Sequence, residues 1–153
     1  MKVIAVMSPK GGIGKTTTSD SIAYMLGEEQ GRKVLVLDGD PQGDTSKTFG
    51  TYEPDGIGMS ELLEKHEIVG GTYKTGDLIR PTEYSHIDII PANGYLMKTD
   101  MNLLLKTQRS GCSQEGVRDA IIHTVLHQKK TDAFPKKLLI YQSFGEDKRK
   151  SCY

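Results

Sequence analysis

The chain has 153 residues, enough for one domain with a sizeable core, and 36% of them are hydrophobic. Mean hydropathy is -0.44 and no apolar run nears the ~20 residues of a membrane helix, so no membrane partner is expected. Basic and acidic residues balance at 20 each, but residues 1–106 carry 11 basic against 15 acidic groups and residues 107–153 carry 9 against 5.

The first residues, MKVIAVM, run straight into a glycine-rich loop without a small-residue cleavage site, which reads as a strand rather than a leader. Residues 2–7 are apolar without polar alternation, the pattern of a strand buried on both faces, and predict a central place in a parallel sheet. Residues 15–30 put Ile22, Ala23 and Leu26 on one helical face, and Gly31 supplies a stop. Residues 33–38 are a second apolar strand, so strand, loop, helix and strand make a βαβ unit with a right-handed crossover. A turn at 55–58 leads into a short acidic helix over 59–66. Residues 87–93 read as a third strand, stopped by Pro91 and Asn93-Gly94, and 95–106 as a helix. Val117, Ala120, Ile121, Thr124 and Val125 outline another amphipathic helix, and 137–141 a further strand.

The sharpest chemical signal is Pro9-Lys10-Gly11-Gly12-Ile13-Gly14-Lys15-Thr16-Thr17, placed between a strand and a helix. Glycines let successive N–H groups turn inward to face phosphate oxygens, and the helix start adds its positive dipole end. Lys15 is placed to bridge β- and γ-phosphates, Thr16 to offer its hydroxyl to Mg2+, and Thr17 to reach the α-phosphate. The pattern predicts ATP and Mg2+ as cofactors and an α/β, three-layer P-loop NTPase fold with a mostly parallel sheet, which the resemblance described next implies is incomplete at the C-terminus. The strict spacing G-x-x-x-x-G-K-[ST] fails at its first position, which is Pro9.

The form KGGIGKTT, with its second lysine at Lys10, resembles the deviant Walker A loop of the ParA/MinD ATPases. The segment Asp38-Gly39-Asp40-Pro41-Gln42-Gly43 is similar to the DxDPQG run of the DNA-partition branch, and residues 79–93 echo it more weakly. The resemblance covers about residues 1–106, the N-terminal part of a ParA-type domain, and leaves 107–153 as a divergent basic segment. It implies a cytoplasmic ATPase in plasmid or chromosome partition that forms an ATP-dependent homodimer, binds DNA non-specifically and answers to a ParB-like stimulator. By the same resemblance Lys10 reaches across the dimer to the partner's nucleotide, and Asp40 positions the attacking water. Asp38 then lies near the metal through a water. The catalytic set is Lys10, Lys15 and Asp40, and the nucleotide set Lys10, Gly11, Gly12, Ile13, Gly14, Lys15, Thr16 and Thr17, with Thr16 at the metal.

The resemblance stops after Lys106. The strand at 137–141 runs into Gln142-Ser143-Phe144-Gly145, with no aspartate where the family carries an acid. Truncation or frame-shift is the expectation, and a second reading stays open: a catalytically weak nucleotide binder acting only through a full-length partner. His123 and His127 are four apart, but neither Cys112 nor Cys152 is placed to complete a metal site.

Overall fold

The computed structural model describes residues 2–8, 10–64, 73–110 and 138–144. Four parallel strands, β1 (Val3–Ser8), β2 (Val34–Gly39), β4 (Ile87–Ile90) and β5 (Leu138–Phe144), form one sheet with β3 (Arg80–Pro81), antiparallel to β4. The spatial order is β1-β5-β2-β4-β3. Helices α1 (Lys15–Tyr24), α2 (Asp44–Thr48), α3 (Met59–Glu64) and α4 (Leu96–Ser110) connect and cover it.

The two-residue period of a strand divides the core. Val34 and Val36 of β2 pack with Ala23, Phe49, Ile87, Ile89 and Ile140 on one side of the sheet. Leu35 and Leu37 pack with Met59, Leu62, Leu78, Ile90 and Leu96 on the other. The result is the α/β three-layer arrangement that the pattern predicts, because a strand apolar from Val34 to Leu37 needs cover on both faces.

The strand order among the described residues differs from a direct pairing of the first two strands. Residues 2–7 read as a central strand, yet β5 takes the place between β1 and β2, and no described strand pairs with the outer side of β1. Ala5 and Met7, which share one face of the strand, are exposed. An unbroken apolar run records what a strand tolerates on its faces, not how many neighbours it has.

Other differences are local. The helix expected through residue 30 is α-helical to Tyr24 and then widens into a π-helical turn, Met25–Glu29, that brings Gly27 against Ile87. The third strand stops at Ile90, one residue before Pro91, whose missing N–H ends the ladder. Helix α2, a 3-10 turn at Thr75–Leu78 and β3 were not expected. Gly58 enters α3 so closely that a Cβ there would lie on the carbonyl oxygen of Pro91, which also accepts the Met59 N–H at 2.8 Å. The amphipathic pattern at 117–125, His123, His127 and both cysteines lie outside the described residues. Among the described residues no helix is long and apolar enough to cross a membrane.

Candidate functional site

The sheet presents its business end at the carboxyl tips of its parallel strands, where open α/β sheets gather ligands. β1 ends at Ser8 and opens the glycine loop, while β2 ends at Gly39 and opens the Asp38–Gly43 turn. β5 runs between them, with Phe144 opposite Ser8, Ser143 opposite Gly39 and Gln142 opposite Asp38. The two motifs therefore stand two strands apart at the same end of one sheet, about 10 Å at the usual strand spacing.

In the loop, Gly12 and Gly14 have φ of 70° and 83°, the left-handed region that glycine adopts without cost. Gly14 is also the residue before α1, and its carbonyl accepts the Thr18 N–H at 2.8 Å, starting the helix directly behind the loop. A Cβ added at Gly11, Gly12 or Gly14 would meet nothing within 4 Å, so the loop's main chain is open to solvent. Lys15 is buried at 7% exposure, and its ammonium donates to the Lys10 carbonyl at 3.2 Å. The Lys10 N–H donates to Ser8 Oγ at 3.2 Å, and the residue is exposed, as is Ile13. Thr16 is half-buried and Thr17 exposed. An open run of glycine main chain, a helix start and a lysine turned back into the loop suit a phosphate chain, and a threonine hydroxyl beside them suits a hard cation.

The second motif is held from below. Asp38 and Asp40 are both buried. Asp38 Oδ2 accepts the Ser46 N–H at 2.8 Å and the Ser46 hydroxyl at 2.5 Å, and its Oδ1 accepts the Asp40 N–H at 3.2 Å. Asp40 Oδ1 accepts the Gln42 N–H at 2.9 Å, a local turn bond that aspartate favours. Burial pushes the Asp38 carboxyl up to about 6, against these hydrogen bonds, which favour the charged form. Asp20 of α1 accepts the Thr45 hydroxyl at 2.9 Å, and burial raises its carboxyl as well.

The structure thus joins Lys10 to Lys15 and Asp38 to Asp40 by hydrogen bonds, within two separate groups. Sequence reasoning missed Ser46. Its signal was there, since a glycine followed by Asp44-Thr45-Ser46 is a helix-start pattern. A cleft of about 490 Å3 lies along α1, lined by Asp20, Tyr24, Met25, Thr48, Phe49 and Tyr84 among others. None of residues 10–17 lines this cleft.

The family model of the AAA domain matches residues 1–131. The chromosome partitioning protein ParA of Caulobacter vibrioides is 32% identical over 111 residues, 72% of this chain and 39% of that protein. The sporulation initiation inhibitor protein Soj of Bacillus subtilis is 32% identical over 103 residues, 67% of this chain and 38% of that protein. Among solved structures, cobyrinic acid a,c-diamide synthase from Mycobacterium smegmatis, with bound ATP analogue and magnesium, superimposes with a TM-score of 0.68 at 29% identity. That match covers 92% of this chain and 50% of the synthase. The chain spans well under half the length of these two curated relatives. On the strength of the family match and of the strand-loop-helix geometry that accompanies it, the chain belongs to the AAA domain family and has the fold of the ParA-like P-loop proteins it resembles.

Proposed function

We propose that this chain binds ATP with Mg2+ at residues 10–17, pairs with a second copy when ATP is bound, and hydrolyses ATP in the partition of DNA. The observation that carries the reading is Lys15, a buried lysine turned into an open glycine loop at a helix start. Main-chain N–H groups of Gly11, Gly12, Ile13 and Gly14 hold the phosphates, Lys15 bridges the outer two, and Thr17 takes the innermost. Thr16 holds the cation, which when bound neutralises charge on the phosphate oxygens. Exposed Lys10 is free of the core and reaches a partner copy's nucleotide. Asp40 orients the attacking water from the tip of β2. A ParB-like protein and non-specific DNA are the implied partners, with a cytoplasmic, nucleoid-associated location. In this division, residues 1–106 carry the nucleotide chemistry and residues 107–153 form the basic segment.

One observation favours a second reading, a weak hydrolase that works by pairing with a longer relative: β5 passes beside Asp38 and Gly39 through Gln142 and Ser143, without an acidic residue. The deciding experiment is titration of the chain with Mg-ATP by calorimetry, followed by turnover with and without DNA. Micromolar binding with DNA-stimulated turnover supports the first reading, binding without turnover supports the second, and no binding removes both.

A further inference from the structure

We propose that Ser46 is a positioning residue for the Asp40 turn, acting through Asp38; the catalytic part of this rests on the water-orienting role given to Asp40 above. Ser46 and Asp38 are both fully buried, at 0% exposure. The Ser46 main chain and side chain donate to the same oxygen, Oδ2 of Asp38, at 2.8 and 2.5 Å. Two donors on one oxygen fix the plane of the carboxylate and turn Oδ1 toward the Asp40 N–H, 3.2 Å away. Asp40 then spends its own Oδ1 on the Gln42 N–H, and its carbonyl accepts the Gly43 N–H at 2.9 Å. Oδ2 of Asp40 takes no hydrogen bond from the described residues, which leaves that oxygen for a water molecule.

The hydroxyl does a second job. While its proton goes to Asp38, its oxygen accepts the Ala92 N–H at 2.9 Å, just beyond the end of β4. A serine hydroxyl donates and accepts at once, so a single atom joins the tip of β4 to the tip of β2. The line of contacts runs from Ala92 through Ser46 and Asp38 to Asp40, at the same end of the sheet as the glycine loop. Alanine at 46 would keep the main-chain bond to Asp38 but remove both hydroxyl bonds, which loosens the turn without deleting any group on its outer side.

The test uses the whole chain and two readouts. In Ser46→Ala, amide hydrogen exchange at Asp40 and Gln42 is expected to quicken about tenfold or more, while amides of Val34 to Leu37 stay within about threefold of wild type. Asp38→Asn keeps the side chain's shape but turns an acceptor into a donor facing Ser46, and is expected to quicken the same two amides. Unchanged exchange at Asp40 and Gln42 in both variants overturns the proposal. For Mg-ATP turnover, Ser46→Ala is expected to lower kcat about tenfold with KM within about threefold, but to change kcat less than about twofold when introduced into Asp40→Ala. An equal loss in both backgrounds makes Ser46 merely structural and also overturns it. Should Asp40→Ala itself keep wild-type turnover, it is the role of Asp40 that falls, and the exchange rates alone then judge whether Ser46 positions the turn.

Discussion

The Lys15 ammonium and the Lys10 carbonyl, 3.2 Å apart, close the phosphate loop on itself through a hydrogen bond from a charged donor. Such bonds are worth about 1.5–3 kcal/mol, so the lysine is held in place and oriented along the inner wall of the loop. Phosphate oxygens offer that ammonium a charged acceptor in place of a neutral one.

Lys15→Ala is therefore expected to weaken Mg-ATP binding by roughly tenfold to a hundredfold, the equivalent of losing one charge-assisted contact. Because most of Lys15 is buried, circular dichroism should first establish that the variant folds. Equal calorimetric affinities in the folded variant and the wild type would place the nucleotide elsewhere.

Asp40→Ala separates binding from chemistry. The variant is expected to hold Mg-ATP within about threefold of wild type while turnover falls about a hundredfold, the lower range for loss of a group that handles the attacking water's proton. Single-turnover rates alongside binding constants measure both. Parallel loss of the two would make the carboxylate a support for the loop.

Asp38 should leave a mark on the pH dependence of stability. Its folded-state value of about 6 lies above the ordinary 3.8, so the folded chain binds the proton more tightly than the unfolded one. The group's contribution to stability is full below about pH 4 and is lost as pH rises through 6, by about 3 kcal/mol. Other carboxylates respond in their own ways, so the measurement is the difference between wild type and Asp38→Asn in urea unfolding from pH 4 to pH 7. Wild type should gain on the variant as pH falls; a flat difference would mean the carboxyl titrates normally.

Gly58→Ala tests the packing of α3 on the end of β4. The added methyl lands on the Pro91 carbonyl oxygen, a main-chain atom already fixed by the Met59 N–H, so it cannot be relieved by a side-chain rotation. A loss of about 1–3 kcal/mol in chemical unfolding is expected, as for other overpacked sites. A change below about 0.5 kcal/mol, the usual size for surface substitutions, would show that the helix shifts freely.

Much of this was legible in the residues themselves. The apolar run at 34–37 and the mostly apolar 87–90 forced strands with covered faces, and glycines between a strand and a helix start marked the turn that leads into α1. What stayed hidden depended on partners distant in sequence. Asp38 and Ser46 are close in the chain, but Ala92, which completes their hydrogen bonding, is 46 residues from Ser46. The separation of β1 from β2 was equally invisible, because the strand that lies between them begins at Leu138. Periodicity reports the needs of one segment; adjacency is decided by the whole chain.

Among the described strands β1 is outermost, and that has a mechanical consequence. A sheet twists as strands are added, and an outermost strand is held by hydrogen bonds on one flank alone, so it is more compliant than one gripped on both. The phosphate loop is the direct continuation of β1, with only Pro9 between Ser8 and Lys10. Whatever lies along the outer flank of β1 stiffens the strand and sets the angle at which the loop leaves the sheet.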